Sequence, residues 1–294
     1  MGRLFVVFCL LFVMVQAHAR EFSLAPFKDD LFAYPKILDR SSDGSYVTVE
    51  YNRDRDLVNR DQVLRWKAHH KYVDRGVRWS RSVSSYVSAN GKFKYFSVGK
   101  ANSKTAVSVI YVHGKGGNRR QGVNDWTFGG NFNRLQNLMT HNRGVLYTPD
   151  FTDFTEQGTV DVAALIQKVR KKTPAAKLIV ACGSMGGGVC WRLAKKSNTA
   201  SQIDGLFLLG SHWHDDFLKS PVVKKSTRNI PIYIGHGSKD PVFKPSVQFG
   251  FYKKIRAKNS KYPIRFVMFD SGAHGTPIRM VDWRHELNWM LSLN

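Results

Sequence analysis

Apolar residues recur along this chain in two rhythms. From residue 106 onward, short apolar runs of strand length alternate with stretches whose apolar positions fall three and four residues apart. Residues 106–112, 144–148, 178–181, 203–209, 230–234 and 264–269 are of the first kind, and β-forming runs bounded by Gly, Pro or Asp predict strands. Residues 132–139, 159–172, 246–258 and 281–293 are of the second kind and predict helices. In 159–172, for example, Val162, Leu165, Ile166 and Val169 share one side and Pro174 ends the run. A further helix is expected after residues 186–188, through Trp191, Leu193 and Ala194. Strand–helix alternation at this spacing predicts the α/β class, with a mostly parallel, doubly wound sheet flanked by helices. In such a sheet the ligand-facing loops leave the carboxyl ends of the strands.

Residues 20–105 carry weaker periodicity. Residues 46–50 alternate like an edge strand, and 93–98 read as a strand after the turn-like pair Asn90-Gly91. Leu57, Leu64 and Ala68 are spaced for one face of a short helix over 57–72. The charges between them, Asp54, Asp56, Asp61 and Asp74 against Arg53, Arg55, Arg60 and Arg65, suggest a solvated face. Two or three antiparallel strands and a helix are expected here.

The start of the chain follows another logic. Arg3 precedes an almost unbroken apolar run over residues 4–15, and Ala17-His-Ala19 has the small-x-small form of a cleavage site. Residues 1–19 are therefore expected to be an export signal. The mature chain would begin at Arg20 and be periplasmic or secreted, with no transmembrane segment. Cys9 lies inside the apolar run rather than at the cleavage point, which argues against a lipid anchor.

Composition changes the picture in two respects. The 294 residues carry a formal charge of +23, or +22 once Arg3 leaves with the signal. Such a charge attracts anionic surfaces, acidic glycans or lipid head groups. No zinc finger, aromatic RNP-like strand or helix-turn-helix pattern accompanies it, so a specific nucleic-acid partner is not expected. Cys182 and Cys190 are the cysteines outside the leader. If Cys190 lies two turns into the helix after the strand, the pair is too far apart for a disulfide, and two separate buried thiols are expected.

The chemistry centres on Leu178-Ile-Val-Ala-Cys-Gly-Ser-Met-Gly-Gly-Gly188. A serine on a tight strand-to-helix turn between small residues is a nucleophile elbow. Ser184 needs a base, and His274, flanked by Gly272, Ala273 and Gly275 past the last strand, is the candidate. His236 competes for that role. Asp240, after the strand at 230–234, is the candidate to orient the imidazole; Asp270, Asp215 and Asp216 are alternatives. Backbone N–H groups of Met185 and Lys115 are placed to hold a developing oxyanion. The loop with Trp126 and Phe128 and the cluster His212-Trp213-His214 are candidate pocket walls, together with His113, Gly114 and His236. His212 and His214 with Asp215 or Asp216 could form a metal fragment, but no third ligand stands at a recognisable spacing. No metal or other cofactor is expected.

On these motifs the chain resembles the α/β-hydrolase superfamily, in its esterase, thioesterase and dienelactone-hydrolase-like part, over residues 93–293. The order Ser184, Asp240, His274 is that family's nucleophile–acid–histidine order. The resemblance implies that His113-Gly-Lys-Gly-Gly117 forms part of an oxyanion hole and that 235–240 is the acid loop, with His236 not the base. Cys182 replaces the first glycine of the family's Gly-x-Ser-x-Gly elbow. The implied organisation is one α/β-hydrolase domain over 20–294, with an N-terminal extension and first strands at 20–92, a catalytic core at 93–294, and little or no cap. The implied activity is a serine esterase acting through an acyl-enzyme on a small ester, a lipid or an acylated glycan. A lipid-acyl or thioester hydrolase and a non-catalytic envelope binding protein are the alternatives.

Overall fold

The computed structural model describes residues 22–224 and 229–293; the expected signal at 1–19 lies outside them. Ten strands form one sheet in the order β1-β2-β12-β11-β10-β9-β7-β8-β6-β5. These are β1 (Ile37–Arg40), β2 (Tyr46–Glu50), β5 (Arg81–Ser88), β6 (Gly91–Val98), β7 (Val107–Val112), β8 (Gly144–Pro149), β9 (Lys177–Gly183), β10 (Gly205–Leu209), β11 (Ile232–Gly237) and β12 (Ile264–Asp270). Strands from β2 through β12, β11, β10, β9, β7 to β8 pair in parallel, and antiparallel strands close both edges. The doubly wound architecture expected from the alternation is present.

Every residue of β7, β8, β10 and β11 is buried. Strands covered on both faces need no alternation, which is why these segments read as continuous apolar runs. One face is covered by α2 (Glu156–Lys172), α3 (Gly187–Lys195) and α4 (Pro245–Lys258), through Val162, Leu165, Trp191 and Phe251. The other is covered by α1 (Asn131–His141) and by α5 (Thr276–Met280) and α6 (Trp283–Leu291), through Phe132, Leu138, Trp283 and Met290. Burying these two faces is the main driving term of the fold.

The N-terminal third departs from expectation. No helix spans 57–72. A single π-helical turn at Asp54–Val58 leads into a small hairpin, β3 (Asp61–Val63) and β4 (Lys67–Ala68), and then a 3₁₀ turn at His70–Tyr72. Leu57 and Ala68 are buried as helical spacing requires, but Leu64 is 45% exposed, so the three share no face. Nor is the charged stretch wholly solvated. Asp56, Arg60 and Asp61 are buried, with Asp61 accepting two hydrogen bonds from Arg279 at 2.8 and 2.7 Å. Strand β2 is not an edge, since β1 pairs outside it. The boundary expected at 92–93 falls within β6, and one sheet takes strands from both sides of it.

The cysteines are also a correction. Cys182 and Cys190 form a disulfide with a Cα separation of 6.2 Å. The path is shorter than a two-turn helix because residues 184–186 form a tight 3₁₀ turn and the α-helix begins only at Gly187. Cys190 therefore sits in its first turn, folded back against the end of β9.

Candidate active site

Strand β9 delivers Ser184 at the sheet's carboxyl end in a left-handed conformation, with φ 51°. This backbone is disfavoured for a residue with a Cβ and persists only where the surroundings over-determine it. They do so here. The Ser184 carbonyl accepts the His212 N–H at 3.0 Å, and a Cβ on Gly186 would stand 2.7 Å from the His113 carbonyl oxygen. Gly186, two residues past the serine, thus lets the approach to α3 press against the exit of β7, while the Cys182–Cys190 bridge ties the two arms of the elbow.

The other two members arrive from the next exits. Asp240 follows β11 in a turn where its Oδ1 accepts the N–H groups of Val242 at 2.8 Å and Phe243 at 3.1 Å. His274 follows β12 in a loop entered through Ser271, also left-handed at φ 60°. The two loops are joined by the Lys239 N–H, which donates to the Gly272 carbonyl at 2.9 Å. Thus placed, His274 Nδ1 lies 2.8 Å from Asp240 Oδ2 and Nε2 lies 2.8 Å from Ser184 Oγ. A carboxylate can only accept, so Nδ1 carries the proton and Nε2 is free to accept the Ser184 hydroxyl.

Electrostatics fit that assignment. Burial would raise the Asp240 carboxyl. The His274 hydrogen bond and the two backbone donors outweigh it, so the group sits below the usual carboxylate range. His236, the rival base, is fully buried beneath this pair, and burial holds it below the ordinary imidazole range. Its Nε2 donates to the Phe243 carbonyl at 2.8 Å, whereas the ring nitrogen that meets Ser184 Oγ is that of His274. The rival acids also lie elsewhere: Asp216 pairs with Lys195, Asp215 with Lys254, and Asp270 accepts from Ser238.

The loop after β7 closes on the serine. A Cβ on Gly114 would meet Ser184 Cβ at 2.8 Å and Oγ at 3.4 Å, so only glycine fits. His113 props this loop: Nδ1 donates to the Gly114 carbonyl at 2.9 Å and the ring stacks on Phe151 at 4.5 Å. Burial lowers its pKa. Lys115 follows on the exposed side, and Met185 is half-buried directly after the serine.

The expected pocket walls fare unevenly. His212 stacks on Trp213 at 5.4 Å and meets Phe243, which in turn packs on the His274 ring at 5.6 Å. Trp126 turns instead toward His70 and Lys67. His236 is fully buried and can line nothing. The cleft that opens beside His274, of about 460 Å³, is lined by Phe128, Arg279 and residues of the N-terminal third, Tyr51, Arg53, Leu57 and Arg65. Sequence reading missed these last four. The density of arginine from residue 53 onward was the available signal, but no periodicity showed where that segment folds. A larger groove of about 940 Å³ lies between α2 and β5–β6, at the β5 edge of the sheet, and Ser184 does not line it. His214 lies 3.6 Å from Asp216, and no group of three or more His, Cys, Asp or Glu side chains suited to a metal occurs among the described residues.

No protein-family model matches the chain, and no curated protein sequence does. Solved structures do match. A serine hydrolase homologue of the α/β type from Coxiella burnetii superposes with a TM-score of 0.53 at 15% identity, covering 72% of this chain and 97% of that one. An α/β serine hydrolase without a lid from Xanthomonas campestris gives 0.51 at 14%, covering 73% and 94%. An esterase from Pyrococcus furiosus gives 0.52 at 14%, covering 72% and 92%. The chain has the α/β-hydrolase fold.

Proposed function

We propose that this α/β-hydrolase-fold protein is a serine hydrolase that cleaves acyl esters, with Ser184, His274 and Asp240 as its catalytic triad. The hydroxyl of Ser184 has no useful nucleophilicity until its proton leaves. His274 Nε2 takes that proton as Oγ bonds to the acyl carbon, and the carbonyl π electrons move onto oxygen. Asp240 holds the ring in the productive tautomer and stabilises the imidazolium. The oxyanion is held by the backbone N–H groups of Met185, in the 3₁₀ turn that leads into α3, and Lys115. Collapse of the intermediate expels the alcohol, which leaves with the proton from His274. Water then attacks the acyl-enzyme, giving its proton to His274, and the second intermediate releases the acid and restores Ser184.

The observation that carries this reading is the pair of 2.8 Å contacts linking three residues from three separate strand exits. A packing role for these side chains gives no reason for a left-handed serine aimed at an imidazole already in register with a buried carboxylate. His274 is about a quarter exposed. The site thus suits a modest or polymer-borne acyl group.

Stopped-flow hydrolysis of p-nitrophenyl butyrate is the direct kinetic test. With nitrophenol as a good leaving group and deacylation the slower step, a burst of nitrophenol approaching the enzyme concentration is expected, followed by slower turnover. Ser184→Ala should remove the burst and lower turnover by about 10³-fold or more. A folded protein with no turnover on any simple ester would instead be a binding protein that shares the fold.

A further inference from the structure

The cleft beside His274 has an unusual electrical character. Three of its lining side chains are arginines, Arg53, Arg65 and Arg279, and none is an aspartate or glutamate. Arg279 is neutralised by its two hydrogen bonds to Asp61. The nearby Asp56 is engaged by Arg55, and Asp54, next to Arg53 in sequence, does not line the cleft. Arg53 and Arg65 are exposed and form no ion pair or side-chain hydrogen bond with any described residue. Two guanidinium groups therefore face the cleft without internal counterions, beside walls supplied by Leu57, Phe128 and Tyr51. Such walls exclude water and concentrate the field of the charges.

The backbone at Arg65 points the same way. The turn between β3 and β4 is closed by the Trp66 N–H donating to the Val63 carbonyl at 2.9 Å, and Arg65, its third residue, has φ 64°. Gly or Asn suits that position, because a Cβ there is disfavoured. The hairpin is anchored from behind: the Ala68 N–H donates to the Trp126 carbonyl and the His69 N–H to the Arg60 carbonyl, both at 3.0 Å. A strained position, held in place by such contacts, thus carries a guanidinium to the cleft. Strain retained at a ligand-facing residue is a pointer to function.

We propose that this cleft selects esters that carry an anionic group on an otherwise apolar body, with Arg53 and Arg65 taking the charge while Leu57, Tyr51 and Phe128 take the body. The proposal rests on the serine-hydrolase reading and adds the substrate class. A planar guanidinium binds a carboxylate or a phosphate through paired donors, and either anion would satisfy the pair.

Matched ester pairs test it. p-Nitrophenyl hemiglutarate against p-nitrophenyl valerate places the charge on the acyl side; 4-acetoxybenzoate against its methyl ester places it on the alcohol side. In at least one pair the anionic member should be favoured in kcat/KM by about tenfold, the size of a charge-assisted contact. The ratio should shrink at high salt. It should fall toward one in Arg53→Gln/Arg65→Gln and stay above one in Arg53→Lys/Arg65→Lys. Ratios at or below one in both pairs, or a preference that survives the double Gln change, would overturn the proposal. Nitrophenol release from the valerate ester by the wild type and by Ser184→Ala is scored separately. No turnover, or turnover that survives Ser184→Ala, defeats the serine-hydrolase reading, whereas Ser184-dependent turnover without anionic preference defeats only this inference. Should the double Gln protein fail to fold, the wild-type ratios and their salt dependence decide alone.

Discussion

At the scale of single residues, the constellation of Ser184, Asp240 and His274, which the fold brings together, was the most legible feature of the sequence. Ser184, Asp240 and His274 each stand just past a β-forming run, and chemistry at strand exits needs no knowledge of how the strands are ordered. What could not be read was direction. His236 and Asp270 also stand at or just past strand ends, and only the fold shows that one points at the Phe243 carbonyl and the other accepts from Ser238. Gly114 carries a prediction at this scale. Its Cβ would meet the Gly183 carbonyl oxygen at 3.1 Å as well as the Ser184 side chain, so Gly114→Ala must push the loop off the serine. A misplacement of about 1 Å in a reacting site costs on the order of 10²-fold. Steady-state ester hydrolysis by Gly114→Ala should fall by about that factor, with the thermal midpoint little changed. Full activity would mean that the loop has no part in the reaction.

Among the elements, the parallel strands and long helices were readable because each is buried along a continuous face and so keeps its period. The segment 54–72 was not. Its apolar spacing suits a helix, but Asp61 and Arg60 are drawn into buried contacts with Arg279 and Gly129, which lie far away in sequence. Tertiary pairing thus overrides the local pattern. The disulfide was misread for a related reason, because its feasibility turned on where α3 starts, and helix boundaries are the part of a sequence that pattern fixes least. The bridge encloses Ser184, so its role is testable. Cys182→Ala/Cys190→Ala frees a loop whose closure is worth about 2–3 kcal/mol by chain entropy. Thermal melts should show the midpoint lowered by on the order of 5 °C. Ester turnover should fall too, as the elbow loosens. An unchanged midpoint would mean that packing alone holds the turn. Such a bridge is at home in an oxidising compartment.

At the scale of the whole molecule, the sheet does the work of assembly. Residues that are 56 and 34 positions apart, Ser184 to Asp240 and Asp240 to His274, meet because β9, β11 and β12 run parallel and end on one side. The N-terminal third completes the site from the outside. Part of it extends the sheet as β1 and β2 beside β12, and the segment that follows supplies Tyr51, Arg53, Leu57 and Arg65 to the cleft. That contribution was invisible in sequence, since it depends on which edge of the sheet the chain returns to. The general excess of positive charge was plain from composition, yet it could not say that two arginines would face a cleft unpaired.

The central claim is that Ser184 is an activated nucleophile, and a covalent probe tests it most directly. The protein is incubated with a fluorophosphonate, digested and mapped by mass spectrometry. The account predicts one adduct, on the peptide carrying Ser184, absent in Ser184→Ala and formed much more slowly in His274→Ala. A cooperatively melting protein that acquires no adduct, or acquires it on another residue, would contradict the account.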